Sequence, residues 1–377
     1  MSRAKMKRAA AVLTVAACSA LAVACGNSQA PAQGAGDFDP AVFPDSTFKN
    51  LSGSLTWYDS SGGLTTEAKN ETVWKDFTAL TGLPAQAEFT DGTSTKFRAA
   101  AEAGNVPWNL IEFGTGGEYF QAAQAGLLRE IDTSKVPVDT LDGASVDKFG
   151  IRVEDNASVL VWNTNALNGK RPTSSADLFN VEEFPGKRCL YKYPVSGGTM
   201  EVALLADGVT PEQMYPLDVN RALTKLGTIK NDIVWWESGS TVLQLLNNGE
   251  CAMGMVWTGR IYDAIVNQKL PLEFTWNGGL TTAAYFAVPK GAPNPDVGQA
   301  AIAMWLLDRK GQIGFVNRTT YTTAIKDLGA SEYDAKVQPY VVSKQNTEGA
   351  NTVSESARYY AENLDPVSTA LATFQSQ

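Results

Sequence analysis

The chain has 377 residues, 31 Lys and Arg against 40 Asp and Glu, and no histidine. Without histidine there can be no Ser-His-Asp or Cys-His nucleophile and no His-ligated metal, so neutral-pH proton transfer would fall to a tuned carboxylate, Lys or Tyr. A net charge of −9 argues against nucleic acid as a partner, because phosphate neutralisation needs a basic face.

The first predicted element is an address. Arg3, Lys5, Lys7 and Arg8 precede an apolar run from Ala9 to Ala24, which is too short and too rich in small residues for a membrane span and reads as an export signal. Its end, LAVACG, resembles the lipobox of bacterial lipoproteins, with Cys25 as the lipidated first residue and Ala22 where that motif prefers Leu. Cys18 also follows small residues, but lies too near Arg8 to leave a full apolar region; an ordinary secretory signal is the alternative. Losing residues 1–24 removes those four cations and takes the charge from −9 to −13. Residues 25–47, rich in Gly, Ala, Pro and Ser with no apolar period, read as a flexible tether.

The body alternates strand and helix. Ser54–Tyr58 is a strand ending at Asp59-Ser60-Ser61-Gly62-Gly63, and Val73, Trp74, Phe77 and Leu80 mark one helix face before Gly82. A strand at Ala85–Phe89, a helix at Ser94–Ala103, a strand at Trp108–Phe113 and a helix at Glu118–Ala125 follow. Such repetition predicts a parallel sheet with ligands at the carboxyl ends of its strands, here the loops 59–63 and 114–117. A second set comprises strands at Ser158–Asn163, Lys187–Tyr193, Ile233–Trp236 and Ala252–Trp257, with helices at Met200–Ala206, Pro216–Ile229 and Thr241–Asn247. Thr281–Pro289 is again strand-like, helices follow at about 295–308 and 310–317, and the tail from Glu332 reads as mainly helical. No internal repeat is present.

Chemistry-bearing motifs are sparse. Gly186-Lys187 continues into Arg188 without the upstream glycine of a P-loop, and no G-x-S-x-G elbow occurs. Gly114-Thr115-Gly116-Gly117 opens a helix and can offer backbone N–H groups to an anion, or serve as a plain turn. In VWWESGS, Trp235 and Trp236 face opposite sides of a strand, so one of them can line a cleft beside Glu237. Trp257-Thr258-Gly259-Arg260 puts an aromatic plate and a guanidinium at a strand end. Cys189 and Cys251 lie on two strands of the second set, where an exported protein either pairs them or buries two inert thiols. A metal site is not expected from two cysteines and no histidine.

From Phe184 to Ile265 the sequence resembles the bacterial extracytoplasmic solute-binding proteins of the spermidine/putrescine (PotD-like) type. LTWYDSSGG, GNVPWNLIEFGTGGEYFQAAQAGLL and TTAAYFAVPKGAPN are similar to that family's first strand, third strand-helix and returning strand, so the resemblance spans nearly all of the chain after residue 50. It implies an α/β, two-lobed, type II "Venus flytrap" fold with crossing hinge strands: lobe 1 over 48–157 with 281–325 returning to it, lobe 2 over 158–280, and a helical segment over 326–377. It further implies a binder that delivers a small solute to an ABC permease and its ATPase; with the lipobox and the missing catalytic motifs, the expectation is a monomer without catalysis or cofactor, held outside the cell membrane by its lipid.

By the same resemblance, Trp257 and Tyr321 fall on the family's cleft aromatics, and Ser60 and Ser61 on a cleft loop that carries an aromatic in polyamine binders. Where those binders have acids, three residues after the tryptophan and before FAVP, this chain has Arg260 and Ala284. Glu201, Glu237 and Glu118 remain as sources of negative charge, with Gly114, Thr115 and Trp236 as further candidates for the wall. A guanidinium in a cleft needs an anion, supplied either by the solute or by an internal acid such as Glu201 or Glu237. The solute class is therefore a polyamine or an amino-acid-like zwitterion. An extracellular carbohydrate-active enzyme with paired carboxylates and a purely structural surface lipoprotein are the alternatives.

Overall fold

Two long strands organise the chain. The structure, a computed structural model, describes residues 42–44, 46–90, 93–141, 145–326 and 328–377; the leader, Cys25 and the tether up to residue 41 lie outside them. Strands β4 (Gly150–Asn163) and β8 (Leu272–Ala287) run antiparallel from the pair Gly150–Ala287 to the pair Asn163–Leu272. On one side, β8 carries β3 (Leu110–Phe113), then β1 (Leu55–Asp59) and β2 (Ala85–Phe89), these three mutually parallel. On the other, β4 carries β7 (Cys251–Trp257), then β5 (Lys187–Tyr191) and β6 (Ile233–Trp236), again parallel among themselves. A short β9 (Val353–Ser354) joins β8, completing one sheet of nine strands. The result is two α/β lobes that share the crossing strands β4 and β8.

Helices α1 (Gly63–Glu71), α2 (Val73–Thr81), α3 (Thr95–Glu102) and α4 (Gly116–Gln124) cover the first half. α5 (Thr199–Ala206), α6 (Val219–Gly227), α7 (Gly239–Asn247) and the short α8 (Thr258–Tyr262) cover the second. The chain then returns through α9 (Pro295–Leu307) and α10 (Arg309–Thr319), a single turn α11 (Lys344–Thr347) and the long α12 (Ala357–Ser376). The first core is aromatic: Trp57, Trp74, Phe286, Trp305 and Phe315 are all buried, with Trp74 stacked on Phe286 at 6.0 Å and tilted on Trp305 at 5.7 Å. Each such ring contributes about 2–3 kcal/mol by burial alone.

Expected and observed elements part in four places. β4 begins at Gly150, not Ser158, and β8 at Leu272, not Thr281. The missed half of β4 mixes core residues Ile151, Val153 and Ala157 with Glu154 and Asn156 of the cavity wall, and that of β8 mixes buried Leu272 and Leu280 with half-buried polar positions and two glycines, so neither shows a clean apolar run. Helix α1 was not expected, since its sequence GLTTEAKNE has no apolar period and its buried face includes Lys69. From Glu332 to Ser356 the chain is mostly turns, so only α12 meets the expected helical tail.

Cys189 on β5 and Cys251 at the start of β7 form a disulfide, S–S 2.01 Å and Cα–Cα 5.7 Å. Gly254 stands opposite Cys189, where a Cβ would meet the Cys189 Cβ at 2.8 Å. A bridge over 62 residues adds about 4 kcal/mol in the chain-entropy model.

Candidate functional site

A cavity of about 600 Å³ lies between the halves at the carboxyl ends of β1, β3, β5 and β7. Its floor is the crossing pair β4 and β8. Among the described residues no helix is long and apolar enough to cross a membrane, and no cluster of three or more His, Cys, Asp or Glu could hold a metal ion.

The first lobe supplies loops locked from behind. Asp59, fully buried, accepts from the Ser61 and Gly62 amides at 2.9 and 3.3 Å and closes the turn after β1. Ser61 on the wall donates to Glu112 at 2.7 Å, while the Ser60 Oγ is buried with no hydrogen-bond partner among the described residues. Gly62 has φ +64 and no room for a side chain, since a Cβ would meet the Phe89 ring at 2.3 Å. Phe89 lines the cavity yet is 60% exposed. Gly114 and Thr115 complete this side; Thr115 caps α4 by accepting from the Glu118 amide at 3.4 Å. Glu118, also on the wall, accepts from Ser94 N and Oγ at 2.8 and 3.1 Å.

The second lobe supplies aromatics and a cation. Trp257 ends β7, and its indole N–H donates to the Ser196 carbonyl at 3.0 Å. Tyr191 meets it edge-on at 5.2 Å. Arg260, on the first turn of α8, lies against Gly239, where a Cβ would be 2.6 Å from its Nε, and near Gly63 of the first lobe. It makes no hydrogen bond or ion pair with any described residue, and its Nε is buried without a partner. Tyr321, 8% exposed, follows the left-handed Thr320 and packs its ring on Gly259.

Of the expected residues, Ser60, Ser61, Gly114, Thr115, Glu237, Trp257, Arg260 and Tyr321 line the cavity. Glu201 and Trp236 do not. Trp236 is 1% exposed and stands behind the wall, edge-on to Trp257 at 5.0 Å. Trp235, the other of the pair, packs on Phe374 of α12 instead. Glu201 is fully buried and accepts from the Tyr215 and Tyr360 hydroxyls at 2.8 Å each, and Glu237 is ion-paired to Lys192. Neither acid reaches Arg260. Among the wall residues that escaped the sequence reading are Phe89, Arg98, Glu154, Tyr191 and Asp365. Arg98 donates to Gln121 at 3.2 Å.

Beneath the wall, and reaching it only at Glu154, lies a buried charge cluster. Lys69 of α1 sits 2.5 Å from Glu112 and 2.7 Å from Glu154, all three essentially inaccessible. Burial opposes the Lys69 charge, but Glu112 and Glu154 outweigh it and hold the ammonium above its ordinary range. Burial pushes the Glu112 carboxyl up to about 8 and raises Glu154 as well. A second buried acid, Glu355, accepts from the Ser196 amide at 2.6 Å and is pushed by burial up to about 8, with Glu201 and Glu118 adding to the rise. Glu112 and Glu355 hold protons in the folded chain that they release near 4.5 when unfolded. Between about pH 4.5 and 8 stability therefore falls as pH rises, because the folded chain binds protons that the unfolded chain releases. Thermal midpoints measured across pH 5.5–8.5 are expected to decline, and Glu355→Gln to flatten the decline. A rising profile would show that both carboxylates stay ionised.

A family model described as "Bacterial extracellular solute-binding protein" matches residues 72–340. A "Gamma-aminobutyric acid-binding protein" of Pseudomonas aeruginosa is 34% identical over 251 residues, 65% of this chain and 70% of the relative. A "Spermidine/putrescine-binding periplasmic protein 1" of Haemophilus influenzae is 25% identical over 260 residues, 65% of this chain and 69% of the relative. The solved structure of a GABA receptor superposes with a TM-score of 0.77 at 32% identity, covering 85% of this chain and 97% of that one.

Proposed function

The chain belongs to the bacterial extracellular solute-binding proteins, and from that premise we propose that its cleft captures a small amine-bearing carboxylate of the γ-aminobutyrate kind for an ABC importer. One observation carries the choice of solute: Arg260 faces the cavity and, among the described residues, no anion pairs with it. A half-buried guanidinium whose Nε is buried without a partner is left under-satisfied, and a planar carboxylate can meet it bidentately. Trp257, Tyr191, Tyr321 and Phe89 offer ring faces and edges to the aliphatic and cationic part. The relatives named for γ-aminobutyrate support the same reading.

A polyamine is the competing solute, favoured by the spermidine/putrescine relative. It would require acids free to meet several ammonium groups. Of the acids expected to serve it, Glu118 is engaged by Ser94, Glu237 by Lys192, and Glu201 is off the wall; Glu154 and Asp365 also line the cavity, but a polyamine met by them would still leave Arg260 without an anion. The mature protein would act as a monomer, tethered through lipidated Cys25, and lobe closure on the solute would be the signal read by the permease.

Calorimetric titration with γ-aminobutyrate, 5-aminovalerate, putrescine and spermidine tests this. Zwitterions are expected to bind at micromolar dissociation constants or tighter, and spermidine at least about tenfold more weakly. Tight spermidine binding with no response to γ-aminobutyrate would reverse the assignment.

A further inference from the structure

We propose that Glu154 receives the solute's ammonium group and so fixes the amine-to-acid spacing that the cleft selects. This rests on the zwitterion reading and names the second pole of that site. Glu154 projects from β4, is 1% exposed and still forms part of the cavity wall. Its Oε1 is 2.7 Å from Lys69, whereas Oε2 takes no hydrogen bond from any described residue. Directly across the strand pair stands Ala284 of β8, also on the wall. Side chains facing each other across an antiparallel pair share one face of the sheet, so the small Ala284 leaves the carboxylate open to the cavity.

Charge argues the same way. Lys69 is a single cation shared by Glu112 and Glu154, and fully buried Asp59 adds a third carboxylate to its surroundings. On this side Lys69, held by Glu112 and Glu154, is not itself on the cavity wall, and on the other side Arg260 has no anionic partner among the described residues. Tyr321, Arg260 and Glu154 line the same cavity. A solute with one amine and one acid neutralises both at once; a diamine leaves Arg260 unanswered, and a dicarboxylate meets Glu154 with repulsion.

The test is calorimetry on the mature protein and two variants. Glu154→Gln keeps the shape, and Lys69 keeps Glu112, so thermal midpoints should stay near wild type. Its affinity for γ-aminobutyrate should fall roughly 30-fold or more, as for truncation of one partner in a desolvated charge pair, while binding of butyrate, which has no amine, is unchanged or improved. Glu154→Asp withdraws the carboxylate by one methylene and should shift preference from γ-aminobutyrate towards 5-aminovalerate, a change that a merely structural residue would not produce. Wild-type protein that binds γ-aminobutyrate, with Glu154→Gln binding it equally well, overturns the role of Glu154 and leaves the zwitterion reading standing. Wild-type protein that binds no zwitterion overturns both.

Discussion

Lys69→Met is expected to lower the stability of the protein by about 3–5 kcal/mol at pH 8, the cost of stripping one partner from a buried ion cluster. Lys69 is fully inaccessible, with its ammonium 5.5 Å from the Trp57 ring centre, 5.7 Å from Phe286 and Phe315, and 5.8 Å from Trp305. Those rings add cation–π attraction but cannot neutralise Glu112, Glu154 and Asp59 once the cation is gone. The carboxylates then have one remedy, which is to take up protons. Because burial already raises Glu112 and Glu154, that remedy is cheap at pH 5.5 and dear at pH 8, so the loss should shrink as pH falls. Urea unfolding at both pH values measures it. Lys69→Met combined with Glu112→Gln and Glu154→Gln should recover much of the deficit by removing the stranded charges. A single variant within about 1 kcal/mol of wild type at pH 8 would show that water reaches the cluster and screens it.

The same cluster explains what could be read from the sequence and what could not. Where a strand or helix buries an apolar face in its own neighbourhood, its period shows: Val73, Trp74 and Phe77 mark α2, and AMGMVW marks β7. Where the buried residue is polar and its partner is distant, no local signal exists. Lys69 meets Glu112 and Glu154 through the fold, and Tyr360 reaches Glu201 across 159 positions. The opening half of β4, IRVEDN, looks like a loop because Arg152 pairs with Asp155, Glu154 with Lys69 and Asn156 with Thr282, and of these Glu154 and Asn156 line the cleft. β8 is masked by Gly278 and Gly279; Gly278 takes φ +79 and has no space for a Cβ beside Ser175. The cleft's cation and tryptophan were legible, since WTGR places them at a strand end. Trp236 misled because alternation along β6 fixes which face a side chain takes, not whether another tryptophan already covers it.

Arg260→Ala should separate binding from folding more cleanly than any other substitution. Loss of zwitterion affinity is expected to reach about 100-fold or more, as for a desolvated charge pair broken on one side. Unfolding of the unliganded protein should show no loss and a small gain, because the Arg260 Nε is buried without a partner and its removal strands no acid. Arg260→Lys keeps the charge but loses the two-pronged geometry, so it should fall between the two. Arg260→Asp goes further: it turns a repulsive element against diamines into an attractive one, and should trade γ-aminobutyrate binding for putrescine binding. Affinity unchanged in Arg260→Ala, accompanied by a clear loss of unliganded stability, would instead make this guanidinium part of the scaffold.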